Sequence, residues 1–317
     1  MRYSRQEVLE YIGKEGQQKL EDSSVSIVGI GALGSVSAEL LARAGIGNLR
    51  LIDRDVVDIT NLQRQSLYTE DDIDKPKAIQ AKKHIQEINS DIVTESHVED
   101  LNNSNIKEIL KDTNLILDGT DNLSTRFLIN DFTRQNKIPW IYAAAIKETG
   151  YVLPILPDKF CFACVFKEAH QLETCDTSGV LNTITHLIAS IQVTEALMVL
   201  LSKMSTPQLI KVNIWSQELQ RFDVQKSPSC LPCKGAYEHL NKTEPEILKS
   251  CGSGTYQIRK DRFNLRSMKE KLSEIGKVQD FSACLKFENL TIFQDRVLIK
   301  AQSEEEAKSA YSKYIGD

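Results

Sequence analysis

The sequence predicts an α/β protein. A Rossmann-like, doubly wound, mostly parallel sheet comes first, then an extension with paired cysteines, then a small C-terminal α/β appendage. Three observations predict it. "SVSIVGIGALGSVSAELLARAGIG" reads as strand, Gly-rich turn and helix. Short apolar runs then alternate with helix-period runs as far as Gly150, the pattern of a parallel sheet covered by helices. Beyond Gly150 the alternation stops and two C-x-x-C pairs occur.

Val25, Ile27 and Val28 supply the first strand, and Gly29, Gly31 and Gly34 the G-x-G-x-x-G turn. Leu33, Val36, Leu40 and Leu41 recur at helical spacing, and Gly45 and Gly47 close that helix. "NLRLID" is the second strand and ends at Asp53; its crossover should be right-handed. "KPKAIQAKKHIQEIN", "NIKEILKDT" and "LSTRFLINDFTRQN" read as helices, and "DIVTESHV", "NLILDGTDN" and "IPWIYAAAI" as the strands between and after them. "YVLPILPDKFCFACVF" is strand and loop, "NTITHLIASIQVTEALMVLLSKM" a long buried helix, and "LIKVNIWSQELQRFDVQ" a strand pair. The expected division is a main domain over 1–240, a linker over 241–251 and an appendage over 252–317. The appendage should hold a helix in "LRSMKEKLSEIG", strands in "ACLKFENLTIF" and "RVLIKA", and a last helix with Ser303 and Glu306 at capping-box spacing.

The composition narrows the function classes. A net charge of -5 over 317 residues argues against broad binding to nucleic acid or an anionic membrane. The N-terminus lacks the unbroken apolar core of a signal peptide, and no run approaches the ~18 apolar residues of a span. Gln192, Thr194 and Glu195 interrupt the longest apolar stretch. A soluble, cytoplasmic protein is expected. Seven cysteines, an odd number, argue against a disulfide framework.

The Gly-rich turn lets backbone approach a phosphate at a helix N-terminus. Asp53, 19 residues after Gly34, has the right spacing for an acid that accepts hydrogen bonds from ribose hydroxyls. Together they imply an adenosine nucleotide: ATP, NAD or FAD. Two chemistries then compete. A nicotinamide-dependent oxidoreductase needs a second site with a catalytic acid or base, and the five scattered histidines supply no recognisable one. Nucleotidyl transfer from ATP to a carboxylate needs cations around the triphosphate, a magnesium ligand and no general base. For that, the sequence offers Arg5, Arg64 and Lys77 as cations and Asp121, past the strand end in "LDGTDN", as an oxygen ligand for magnesium. Asn61, Gln63 and Asn122 add neutral hydrogen bonds. On its own, Asp121 could equally cap the helix that follows.

Cys161/Cys164 and Cys230/Cys233 have the two-residue spacing that brings four thiolates to one zinc ion. A closed four-thiolate shell leaves no open position, so this zinc-bound extension should stabilise rather than catalyse; a redox dithiol is the other reading. Cys175, in the polar "ETCDTSGVLNT", reads more readily as an inert cysteine than as a nucleophile.

"RYSRQ", "GIGALG", "DRDVVDITNLQRQ", "KPKA", "DGTDN", "TCDTSGV" and both cysteine pairs together resemble the MoeB/ThiF family, bacterial relatives of ubiquitin-activating enzymes. The resemblance runs from Arg2 to about Gly235. It implies ATP-dependent adenylation of the C-terminal Gly-Gly carboxylate of a small ubiquitin-like sulfur carrier, which then becomes a thiocarboxylate. By similarity, Gly29, Gly31, Ala32, Gly34, Asp53 and Asp55 surround the adenosine. Thr60, Asn61, Leu62, Gln63, Arg64 and Lys77 contact the nucleotide, and Asp121 with Asn122 serves magnesium and phosphate. Arg5 matches an arginine that reaches into a partner subunit's site, which implies a homodimer. The four paired cysteines match the family's zinc ligands, and Cys175 a position that in some members bonds covalently to the carrier. Two departures stand out: Ala32 where many relatives have glycine, and "GVLNT" without the proline of "GVxxP". The short tail holds no rhodanese-like loop, so a separate sulfurtransferase or cysteine desulfurase would supply sulfur. The expected carrier is the small subunit of molybdopterin synthase, in molybdenum-cofactor biosynthesis, with the thiamin-pathway carrier as the alternative.

Overall fold

In the computed structural model, which describes residues 2–167, 178–242, 247–249, 254–259 and 263–316, the architecture turns on one short strand. β1 (Ser24–Val28) lies at the centre of an eight-stranded sheet of order β3-β2-β1-β4-β5-β6-β7-β8. It pairs in parallel with β2 (Asn48–Ile52) on one side and β4 (Leu115–Asp118) on the other. β3 (Val93–His97) and β5 (Trp140–Ile146) extend the parallel part outward, and β6 (Thr149–Ile155), β7 (Gln208–Asn213) and β8 (Glu218–Asp223) continue it antiparallel. The sheet is therefore the Rossmann-like, mostly parallel one expected. Its order reverses between β1 and β4, the place where open α/β sheets bind ligands.

Both faces of the sheet are covered, so its inner strands are apolar on both sides. Along β5, Ile141 and Ala143 enter one core with Val25 and Ile27, while Trp140 and Tyr142 enter the other with Val28 and Ile116. The first face is packed by α3 (Gly34–Ala44), α4 (Lys77–Ile88) and the long α8 (Asn182–Leu200); the second by α5 (Ile106–Ile109), α6 (Leu123–Asn136) and the short α7 (Phe162–Val165). α8 is long and apolar enough to cross a membrane by length and composition. Its Ile184, Ile188, Val193 and Ala196 instead fill the core, and its buried Gln192 donates to the Asp118 and Ile141 carbonyls and accepts from Ser37.

Two N-terminal helices, α1 (Ser4–Glu7) and α2 (Gly13–Glu21), were not expected from the sequence. α1 is short, and α2 buries only Gly16, Gln17 and Leu20, too few apolar positions for a periodicity. α5 is a single turn rather than the full helix read from "NIKEILKDT".

The chain divides into two units. One comprises Met1–Ile73 and Lys77–Lys242, the other Asp74–Pro76 and Thr243–Asp317. Among its described residues, the second contains β11 (Gln279–Asp280), β12 (Leu285–Phe287), β13 (Leu290–Ile292) and β14 (Arg296–Lys300) in a six-stranded antiparallel sheet of order β11-β12-β13-β14-β10-β9, with two helices, α9 (Leu265–Ser273) and α10 (Glu304–Tyr314). Phe287, Leu290, Ile292, Val297 and Ile299 fill its own core. β9 (Ile247–Lys249), inside the stretch expected to be linker, pairs with β10 (Thr255–Arg259). The capping box of α10 is half formed: the Ser303 hydroxyl accepts from the Glu306 N–H, but the Glu306 carboxylate accepts from Gln302 rather than from Ser303.

Candidate nucleotide site and cysteine cluster

Val28 is the register partner of both Ile52 and Asp118. The three chain segments that leave these strands, Gly29 onward, Asp53 onward and Gly119 onward, therefore start at one level on one edge. That register gathers "GIGALG", "DRDVVDITNLQRQ" and "DGTDN". Gly29 has φ +84, and a Cβ there would stand 2.8 Å from the Gly119 backbone. A Cβ on Gly34 would stand 1.9 Å from the Gly29 oxygen, and one on Gly119 2.4 Å from it. Only glycine permits this three-way backbone contact. Gly31 is different: the nearest atom to a Cβ there is Gln65 Nε2 at 3.7 Å, so its open space serves something other than packing. Ala32 keeps a negative φ, and its methyl is accommodated without backbone strain.

Asp53 is buried and its two oxygens accept from the Ile30 and Asp55 N–H groups, both at 2.7 Å. It thus braces the Gly-rich turn from below, and each oxygen keeps a lone pair for a ribose hydroxyl. Burial pushes its pKa up, against the pull of Lys77. Lys77 opens α4 with its N–H donating to the Asp55 carbonyl. Its Nζ is buried, 3.5 Å from Asp55 Oδ2. Burial disfavours that charge, but Asp55, Asp53 and Asp121 outweigh it and hold the pKa above the ordinary 10.5. Lys77 is therefore a desolvated cation at neutral pH. Arg54, which the sequence reading passed over, pairs with Asp100 at 3.1 Å; Asp100, Asp55 and Asp121 raise its pKa against burial. Asp121 is exposed and close enough to act on Arg54, Lys77 and Arg126 at once.

The segment after Asp53 folds back over the turn. Asp58 and Asn61 form a reciprocal capping box on the turn Ile59–Asn61, and Thr60 donates its N–H and hydroxyl to Asp58. Asn61 and Thr60 thus have structural bonds alongside the nucleotide role expected of them. Arg64 Nη1 donates to the Thr60 carbonyl at 2.9 Å, and Leu62 packs against the core beside an exposed Gln63. The Tyr68 hydroxyl donates to the Ile30 carbonyl at 2.8 Å and ties the segment to the Gly-rich loop. The cap of α6 is Asn122, whose Oδ1 accepts from the Thr125 N–H at 2.8 Å, so Asp121 is not the cap.

Arg5, expected to serve a partner subunit's site, is not gathered here. Arg5 is exposed on α1, and α1 is fastened at the far end of α3: Gln6 donates to the Ala44 carbonyl and Asn89 to the Tyr3 hydroxyl. Cys175 lies outside the described residues.

Beneath the edge, Asp118 is fully buried. It accepts from the Thr120 N–H and hydroxyl and from Arg126 Nε at 2.9 Å. Arg126 also donates to the Thr120 and Ala143 carbonyls and stands 4.9 Å from the Tyr142 ring centroid. In the sequence, neither Asp118 nor Arg126 stands out as a site residue; the one signal is an acid one residue before Gly119.

The four paired cysteines converge, with every sulfur within 4.8 Å of the others. Neighbouring sulfurs are 3.3, 3.5, 3.6 and 3.8 Å apart. Tetrahedral zinc with Zn–S bonds of about 2.3 Å requires sulfurs about 3.8 Å apart, so the group fits zinc. Each pair sits on a tight turn, the Cys164 N–H donating to Cys161 and the Cys230 N–H to Ser227.

Known proteins similar to this chain fall in one family. The chain is 35% identical over 99% of both lengths to the sulfur carrier protein ThiS adenylyltransferase of Bacillus subtilis. It is 34% identical to the SAMP-activating enzyme E1 of Haloferax volcanii, over 79% of this chain and 94% of that one. With the probable molybdopterin-synthase adenylyltransferase of Porphyra purpurea it shares 35% over 70% of this chain and 60% of that one. Among solved structures, Escherichia coli MccB superposes with a TM-score of 0.65 over 74% of this chain and 75% of that chain at 23% identity, a likeness of fold. The ThiF family profile matches residues 3–232, and on that match and those relatives this chain belongs to the ThiF family.

Proposed function

We propose that the chain is an ATP-dependent adenylyltransferase that activates the C-terminal Gly-Gly carboxylate of a ubiquitin-like sulfur carrier. The observation that carries this reading is the shared register of Val28, Ile52 and Asp118, which brings a phosphate-type glycine turn, a ribose-type acid and a buried lysine to one edge. In the proposed reaction a carrier carboxylate oxygen attacks the α-phosphorus of ATP. The bond from that phosphorus to the bridging oxygen of the β-phosphate breaks, and pyrophosphate leaves. No proton has to move, because the carboxylate is already ionised. The start of α3 and the Gly-rich turn receive phosphate oxygens. Asp53 accepts from the ribose, and Lys77 and Arg64 neutralise charge that builds on the phosphoryl oxygens. Asp121 would hold magnesium, which draws charge from the leaving pyrophosphate.

Homodimerisation, with Arg5 serving the partner's site, belongs to the same proposal. So do a zinc that only stabilises, sulfur from a separate sulfurtransferase or cysteine desulfurase, and a covalent carrier link at Cys175. The sequence favoured the molybdopterin synthase small subunit as carrier; the full-length relative named for ThiS adds weight to the thiamin-pathway carrier. Carrier-dependent exchange of labelled pyrophosphate into ATP, run with each carrier, tests the proposal. Exchange with one carrier establishes adenylation and names it. Absence of exchange with either, together with oxidation of a nicotinamide, would return the chain to the oxidoreductase reading.

A further inference from the structure

α6 carries two buried polar residues that the nucleotide site does not use. Asn130 and Asp131 are both fully buried. Asn130 Oδ1 accepts from the Phe162 N–H at 2.8 Å, and Phe162 directly follows Cys161. Asp131 Oδ2 accepts from the His239 N–H at 3.0 Å, six residues past Cys233. Asn130 Nδ2 donates to Asp131 Oδ1 at 3.2 Å and joins the two. One Asn-Asp dipeptide therefore grips both chain segments that bring cysteines to the cluster, 69 residues apart in sequence. Aromatic packing supports each grip. Phe162 lies against Phe127, Trp140, Tyr142 and Phe166, with centroids 4.5 to 5.7 Å apart, and His239 stacks on Phe127 at 5.1 Å.

We infer that Asn130 and Asp131 are positioning residues for the four-cysteine site: they set the approach of its two halves before a metal arrives. The chemistry fits this role. Two loops that each present two thiols must be held at sulfur separations a tetrahedral ion accepts, or binding has to supply the ordering itself. The Asn130 amide is suited to the joint because one group can accept from Phe162 and donate to Asp131 simultaneously. The inference rests on the zinc reading of the cluster, and its test separates the two.

The test strips the full-length protein of metal and measures zinc affinity by competition with a chromophoric chelator. Asn130→Ala should bind zinc at least ~10-fold more weakly than the wild type, the usual loss for an outer-shell partner. Phe132→Leu, an apolar change on the same helix, controls for general loosening and should keep wild-type affinity. Equal zinc affinity in Asn130→Ala and wild type overturns the inference, and failure of the wild type to bind zinc overturns the zinc reading with it. Should Asn130→Ala not fold, hydrogen exchange on the metal-free wild type decides. The Phe162 and His239 amides should stay protected without zinc, and free exchange at both would show that α6 does not hold the halves.

Discussion

Gly119 and Gly31 both sit at the nucleotide edge, but an alanine at each should have opposite consequences. At Gly119 the new methyl carbon meets the Gly29 oxygen at 2.4 Å, and backbone must move. Gly119→Ala should cost about 1–3 kcal/mol, the range for overpacking a tight contact, and should weaken ATP binding as the turn shifts. At Gly31 the nearest atom is 3.7 Å away, so Gly31→Ala should leave the urea-unfolding midpoint unchanged and weaken only ATP binding. The glycine spacing was legible in the sequence; this division of labour was not, because it depends on which strand lies opposite. Lys77 adds a pH dependence. Its folded-state pKa lies above 10.5, so its stabilising charge is fully present below that value and is lost as pH climbs through the raised one. The stability gap between wild type and Lys77→Met should stay constant from neutrality to pH 10.5 and shrink above it. A gap already closing below that pH would refute the assignment. The same variant should lower pyrophosphate exchange by about 10²–10³-fold, as for loss of one transition-state donor.

α6 shows, as an element, where sequence reading stops. "LSTRFLINDFTRQN" reads as a helix, and nothing local in it marks the polar Arg126, Asn130, Asp131 and Thr133 as covered. All four are buried. The segments that carry the cysteines cover Asn130 and Asp131, while Asp118 and the Tyr142 ring meet Arg126, and such non-local contacts leave no local period. Strand ends were legible for the reverse reason: β1, β2 and β4 are short apolar runs ended by polar or glycine residues, which are local signals. The same contrast explains why Asp121 was read as a possible cap when Asn122 is the one: both precede the helix, and only backbone geometry selects between them. At the front of α6, Arg126 neutralises Asp118 beneath the nucleotide edge. Burial raises the Asp118 pKa even with the guanidinium 2.9 Å away. Arg126→Met removes the cation and leaves a carboxylate with no exposed surface, a loss of about 3–5 kcal/mol. Adding Asp118→Asn to it should recover part of that loss, since the uncompensated charge goes with it. Urea unfolding of the two single variants and the double variant measures the coupling. Strictly additive losses would mean that the pair does not interact.

For the molecule as a whole, the open question is where Arg5 acts. α1 is fastened by Gln6 to Ala44 at the C-terminal end of α3, while the Gly-rich turn enters the N-terminal end. The 11 residues of α3 separate these ends by about 16 Å. An arginine exposed at the far end is poorly placed for its own chain's phosphates, in keeping with the proposal that it serves a second copy's. That predicts complementation. Arg5→Ala and Lys77→Met homodimers should each be nearly inactive in carrier-dependent exchange. A mixed dimer contains one site with Lys77 from one chain and Arg5 from the other, and one site lacking both. Random re-association makes half the dimers mixed, with one of two sites intact, so exchange should return to about one quarter of wild type. Recovery to that level places Arg5 in the partner's site and shows that two chains build each active site. If the mixture stays as inactive as its components although subunits exchange, Arg5 works within its own chain, and α1 must then leave its seat on α3 during the reaction.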